Sequence, residues 1–158
     1  MGKIKIKGGD VYRASGILSS LNLQKADREI VISIYKNAAE LKVLKKSLED
    51  KAKEAKESVF SKIDEQRLTK VAKLREEYNS KDASQERKYD ILNEIYLYKD
   101  VLDAESALNE IYSRMENEDE YEVNIEKIDF NKFLDNLTKM DTPYNVETLD
   151  SLDFMLNH

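Results

Sequence analysis

The sequence predicts a mainly α-helical (α+β) fold: an elongated antiparallel helical hairpin with a small two-stranded antiparallel sheet and a short C-terminal helix. Three observations predict it. Residues 17–142, 126 in a row, contain neither glycine nor proline, the two residues that most readily interrupt a helix. Apolar residues within that stretch recur at steps of three and four, the spacing of a helix stripe. Two segments outside the helical stripes alternate apolar and polar residues instead, the period of a half-buried strand.

The first strand is Lys3-Ile4-Lys5-Ile6-Lys7. Its partner is the segment around Tyr121, Val123 and Ile125, which alternate with Glu122, Asn124 and Glu126. Antiparallel pairing sets Ile4 and Ile6 beside Val123 and Ile125 on one face. Lys3, Lys5 and Lys7 then face Glu122 and Glu126, each opposite-charge pair contributing roughly 0.2–1 kcal/mol. Such a ribbon is marginal alone, so it is expected to pack on a helix.

Gly8-Gly9 is expected to end the strand, with Asp10 as the N-cap of a short helix carrying Val11, Ala14, Ile17, Leu18 and Leu21 inward. A polar connection, residues 22–26, follows. A long helical pattern runs from about Asp27 to Tyr78 through Ile34, Ala38, Leu41, Leu44 or Leu48, Ala52, Ala55, Val59, Ile63, Leu68, Val71 and Leu74. One unbroken helix of that length would span roughly 78 Å. Either it breaks near Asp64-Glu65 or the molecule is elongated, and the lack of a helix-stopping residue favours the elongated form. Residues 79–82 form the turn, with Asn79 as a left-handed C-cap and Asp82 or Ser84 capping the next helix. That helix runs to about Glu116 along Tyr89, Leu92, Ile95, Leu102, Leu108, Ile111 and Met115.

After the second strand, Phe130, Phe133, Leu134 and Leu137 mark a short helix that Thr142-Pro143 breaks. Asn145 then caps a final helix with Val146, Leu149, Leu152, Met155 and Leu156 inward. The chain reads as one domain of three parts: 1–26, strand and short helix; 27–117, hairpin; 118–158, strand and C-terminal helices.

Charged residues make up 37% of the chain and hydrophobic residues 41%, which fits exposed, charged helices rather than disorder. No apolar run reaches the ~18 residues of a membrane span, and the alternating start is not a secretory signal. A cytoplasmic site of synthesis is the expected default. The net charge of −6 hides a split. Residues 1–80 carry 18 Lys/Arg against 12 Asp/Glu, whereas residues 81–158 carry 8 against 20. If the halves fold back on each other, this asymmetry favours their docking.

The residue inventory argues against an enzyme. There is no cysteine, which excludes disulfides, thiolate zinc sites and cysteine nucleophiles. The one histidine, His158, is expected to be a frayed end. The acidic cluster Glu116, Glu118, Asp119, Glu120 and Glu122 lacks the spacing of a calcium loop and reads as a solvated linker. The lysines from Lys42 to Lys56 are threaded with Glu49, Asp50, Glu54 and Glu57, so a solvated helix face is favoured over phosphate binding. No phosphate-binding loop or nucleophile elbow occurs. Neither a cofactor nor a metal, membrane or nucleic-acid site is expected.

What remains is protein contact. The tyrosines fall mostly on the helical stripes, at Tyr35, Tyr78, Tyr89, Tyr96, Tyr98 and Tyr112. Tyrosine offers a large area with a polar tip and is enriched at interfaces. It serves as well, with the greater weight here, as a wet-edged core residue in thin hairpins. The residues assigned to partner binding are Tyr89, Tyr96, Tyr98, Tyr112, Tyr144, Leu149, Leu152, Phe154 and Met155, and self-association is open as well. The opening Lys-Ile-Lys-Ile strand leads into a tyrosine-containing helix, Asp10 to Leu21. Residues 74–82 read Leu-Arg-Glu-Glu-Tyr-Asn-Ser-Lys-Asp, a late strand reads Glu122-Val123-Asn124-Ile125, and an acidic-apolar helix covers residues 149–155. In these motifs the chain resembles a loose group of short, uncharacterised bacteriophage-encoded proteins. The resemblance implies a phage origin and no activity. The expected function is a non-catalytic interaction protein, a virion or assembly accessory. The alternative is an inhibitor of a host nucleic-acid-binding defence protein that acts through the acidic half.

Overall fold

The computed structural model describes residues 1–143 and 145–158. In chain order its elements are β1 (Gly2–Lys7), α1 (Gly8–Ser20), α2 (Arg28–Phe60), α3 (Glu65–Tyr78), α4 (Gln85–Tyr96) and α5 (Lys99–Asn117). There follow β2 (Glu120–Ile125), β3 (Ile128–Asp129), α6 (Phe130–Leu137), α7 (Val146–Leu152) and β4 (Leu156–Asn157). The fold is mainly α, as predicted. The chain divides into two compact units, residues Met1–Lys51 with Ser113–His158, and residues Ala52–Tyr112. Those limits fall elsewhere than the subdivisions expected at residues 26 and 117. The first part of the long helix belongs with the strands and terminal helices.

In the first unit β1 and β2 pair antiparallel, with Ile4 opposite Val123, Ile6 opposite Tyr121 and Gly2 opposite Ile125. The apolar face is therefore the predicted one. On the polar face Lys5 meets Glu122 and Lys7 meets Glu120, and the exposed Lys3–Glu122 pair spans 3.8 Å. Glu126 is not on that face. It lies beyond β2, where Lys36 contacts it at 3.0 Å and the Ser33 hydroxyl donates to it at 3.0 Å. A second, parallel pair, Ile128–Asp129 with Leu156–Asn157, was not visible in the sequence because two residues carry no period.

Helix α1 begins at Gly8, two residues before the expected Asp10 cap, and Lys7 supplies no side-chain cap. The glycines are buried, and a Cβ on Gly8 would overlap the Met115 carbonyl oxygen. The strand ends at Lys7 as expected, and the missing side chains also let α1 approach the last turn of α5 closely. Asp10 instead sits in the first turn and holds Arg13 at 2.7 Å.

The core of this unit gathers the inward stripe of α2 (Ile30, Ile34, Leu41, Leu48), Val11 and Leu18 of α1, Val123 and Ile125 of β2, and Phe133, Leu137, Leu152 and Met155. Each such side chain contributes roughly 1.5–3 kcal/mol by leaving water. Two asparagines, Asn37 and Asn136, are fully buried among them. The Asn37 side chain donates to the Glu126 carbonyl at 2.9 Å and accepts from the Glu126 N–H at 2.8 Å. It thus acts like one more strand residue at the end of β2. Asn136 accepts from the Asp27 N–H at 2.8 Å and donates to the Lys132 carbonyl at 2.8 Å, which fixes the start of α2 against α6. His158 is not frayed: its ring lies 4.7 Å from that of Phe130 and 2.7 Å from an Asp153 carboxylate oxygen.

The second unit corrects two expectations of continuous helix. The stretch 27–78 breaks between Phe60 and Glu65, because Ser61 turns its hydroxyl back to the Ser58 carbonyl at 2.8 Å and Asp64 caps α3 by accepting from the Gln66 N–H at 2.8 Å. Side-chain bonds to the backbone compete with helix propagation without glycine or proline. The stretch after residue 84 breaks at Leu97-Tyr98, where the Leu97 and Tyr98 N–H groups bond three residues back. Ser84 caps α4, and Asn79 is right-handed, not left-handed. Helices α3 and α4 form a hairpin over a small core of Leu74, Ile91 and Ile95. Arg67 holds Asp100 at 3.0 and 2.7 Å, Arg75 holds Glu105 at 2.5 and 2.6 Å, and Arg87 bridges Glu77 and Glu94.

Replacing Asn37 by Leu strands both backbone groups of Glu126, so urea unfolding should show a loss of about 2–3 kcal/mol; a change within experimental error would refute this role. A second expectation concerns acid. Lys36 and then Ser33 hold the Glu126 carboxyl below the usual glutamate range. A carboxyl lowered on folding contributes stability that is complete above its unfolded value and lost as pH falls through its folded value. Unfolding midpoints measured from pH 7 to pH 3 should therefore fall less for Glu126→Gln than for the wild type. Parallel pH profiles would show that the pair does not contribute.

Candidate functional site

Helix α4 carries two apolar faces. Ile91 and Ile95 point inward, 0% and 8% exposed, while Tyr89, Leu92, Tyr96 and the adjoining Leu97 are 68%, 43%, 72% and 78% exposed. Positions 89, 92 and 96 follow steps of three and four and share one side of the helix. Exposed Glu86 and Asp90 add an acidic margin.

The face is held rigidly. The Ser84 hydroxyl caps the helix start by accepting from the Arg87 N–H at 3.1 Å. Arg87 donates to Glu77 at 2.7 and 2.9 Å and to Glu94 at 2.9 Å, locking α4 onto α3. Arg87 holds the Glu77 carboxyl below its ordinary range, and the Arg87 guanidinium is itself pushed up, first by Glu77 and then by Glu94. Lys88 lies over the Tyr78 ring, 5.5 Å from its centre.

The predicted partner-binding residues separate into distinct places. Tyr89 and Tyr96 are on the exposed face. Tyr98 is half-buried with the Arg67 guanidinium 4.7 Å from its ring centre. Tyr112 is half-buried, its hydroxyl 3.5 Å from the Ala52 carbonyl. Tyr144 lies outside the described residues. Leu149 and Phe154 are half-buried and pack on the core of the first unit. Leu152 and Met155 are fully buried and belong to that core, not to a surface. The reason is that Asn145 caps α7, accepting from the Glu147 N–H at 2.8 Å, and the stripe behind the cap turns inward. Val146, expected inward, is 75% exposed instead.

Sequence reasoning missed Leu97 as part of the α4 surface. It also missed a second exposed stripe, Ile32, Tyr35 and Val43 on α2. Both lie off the core-facing stripe of their helix. Two apolar stripes on one helix were the available signal, and assigning each helix a single inward face concealed them.

The chemistry offered elsewhere is limited. A cleft of about 570 Å³ in the second unit is lined by Phe60, Leu68, Val71 and Val101, with Lys53 and Lys56 at its rim. Asp27, held by Lys139 and Asn136, and Asp100, held by Arg67, also have carboxyls below the usual range. Burial pushes the Tyr12 and Tyr121 hydroxyls up. Among the described residues no three His, Asp or Glu side chains are grouped to hold a metal ion, and no helix is long and apolar enough to cross a membrane.

The exposed tyrosines should contribute little to folding. Tyr89→Ala and Tyr96→Ala should each change unfolding free energy by no more than about 0.5 kcal/mol, whereas Leu152→Ala should cost about 2–5 kcal/mol. Equal losses in thermal or urea unfolding would place the tyrosines in the core and remove the face. No protein-family model matches the chain, and no curated protein or solved structure is detectably similar to it.

Proposed function

We propose that this is a non-catalytic interaction protein that presents α4 to a protein partner, serving as an accessory component of a phage virion or its assembly. The observation that carries the reading is the Tyr89–Leu92–Tyr96 stripe, three large side chains left in solvent on one side of a capped, ion-paired helix. Rigid tyrosines lose little conformational entropy on binding and recur at interface hot spots. The acidic margin of Glu86 and Asp90 suits a partner surface that is apolar at its centre and basic at its edge. The phage assignment rests on the sequence resemblance.

The inhibitor reading has less support. A decoy for a basic groove needs free, clustered carboxylates. Here Asp100 and Glu105 are bound by Arg67 and Arg75, and Glu122 and Glu126 by Lys3 and Lys36. These four of the 20 carboxylates in the acidic half are held by Lys or Arg of the basic half.

The test is reconstitution. Purified phage head and tail components, titrated against the protein, should yield a stoichiometric complex with one of them, and Tyr89→Ala with Tyr96→Ala should weaken it by at least about tenfold, the cost of two hot-spot residues. A protein that binds none of them, or a complex indifferent to both substitutions, would overturn the proposal.

A further inference from the structure

We infer that a second copy of this chain docks antiparallel on the exposed face of α2, with the two-fold axis close to Ala39. This concerns a different face from the proposed partner site and stands independently of it. Along α2, Ile32, Tyr35 and Val43 are 42%, 72% and 72% exposed, and Ala39 between them is exposed as well. Positions 32, 35, 39 and 43 advance by three, four and four residues. At 100° per residue they fall within a strip about 80° wide. The opposite side of the same helix, Ile30, Ile34, Leu41 and Leu48, is the core of the first unit. The outer stripe is therefore surplus to folding.

Charge complementarity identifies the occupant. In an antiparallel helix pair, residues on one flank of the stripe face the same flank of the other copy. With the axis near Ala39, a residue meets one whose number sums with its own to about 77. Glu40 then lies beside Lys36 of the second copy. Arg28 lies beside Glu49 and Asp50 of the second copy, although the two ends are about 32 Å apart along one helix. Lys42 falls beside Tyr35 and Lys46 beside Val31, about one turn from Arg28 of the second copy. Each pair occurs twice by symmetry. A parallel pairing in register would set Arg28, Lys46 and Asp50 each against its own copy. Lys36 already holds Glu126 at 3.0 Å, so its contact with Glu40 extends an existing pair. Ala39 at the centre is small enough for the two backbones to approach closely.

The stripe is short, so the dimer should be weak and dependent on concentration. Sedimentation should show the apparent mass rising from the 18.4 kDa of one chain towards twice that value between about 5 and 500 µM, bracketing a micromolar affinity for an interface at the small end of the range. Val43→Glu should abolish the rise while leaving the circular dichroism unchanged. Arg28→Glu should weaken the dimer by about tenfold, and adding Glu49→Arg and Asp50→Arg should restore it. Because the chain has no cysteine, Ala39→Cys places one thiol near its symmetry mate, within reach of a disulfide. Mild oxidation should link this variant several-fold faster than Ser19→Cys on the exposed side of α1. A single 18.4 kDa species across the range would overturn the inference. So would a dimer that survives Val43→Glu, or one in which the two cysteine variants link at the same rate.

Discussion

The contact on which the rest of the first unit depends is the pair of hydrogen bonds between the buried Asn37 amide and the backbone of Glu126. A helix has no free backbone groups along its length to offer a strand. The end of β2, by contrast, must place its N–H and carbonyl somewhere. An asparagine on the buried side of α2 resolves the mismatch because its amide has one donor side and one acceptor side. With that contact made, Val123 and Ile125 face Ile34 and Leu41, and Ser33 and Lys36 are in place to receive the Glu126 carboxylate. A single polar residue thereby sets the register of helix against sheet, which apolar packing alone leaves loose.

Charge does comparable work at the surface. The basic and acidic halves of the sequence meet within each unit. Lys3 and Lys36 pair with Glu122 and Glu126 in the first unit, and Arg67 and Arg75 pair with Asp100 and Glu105 in the second. These pairs are partly exposed, so each adds little stability. The bidentate guanidinium geometry of Arg67 and Arg75 instead specifies which helix lies beside which in the second unit. That role suits the second unit, where the α3–α4 cluster is small, Leu74, Ile91 and Ile95 with half-buried neighbours.

The legible features were those that repeat. Period two gave the Ile4–Val123 pairing, and the steps of three and four gave the inward stripe of α2 down to Leu41 and Leu48. The features that were not legible depend on single side chains. Ser61 and Asp64, through side-chain bonds to the backbone, interrupt the helix in a stretch with no glycine or proline. Gly8-Gly9 looked like a strand stop because glycine usually is one, and here the missing side chains also admit the Met115 backbone. Tyr89 and Tyr96, read as part of the helix stripe, are exposed instead. Leu152 and Met155 were misplaced because an amphipathic segment looks the same whether its apolar side meets its own core or a stranger's.

The way the units are drawn from the chain bears on the order in which the protein can assemble. The second unit is one uninterrupted run, Ala52–Tyr112, whereas the first needs β1 beside β2 and β3 beside β4. Contacts between distant parts of a chain form slowly, since the intervening segment must be closed into a loop first. During synthesis the α3–α4 hairpin can fold as soon as it leaves the ribosome. The N-terminal Lys-Ile ribbon waits, with its apolar side uncovered, for the residues around Val123, and Phe133 waits longer still for Met155 and Leu156. The nascent chain therefore carries a finished middle between two unfinished ends, and a chaperone or an early partner would find its hydrophobic handle at the beginning of the protein rather than at its centre.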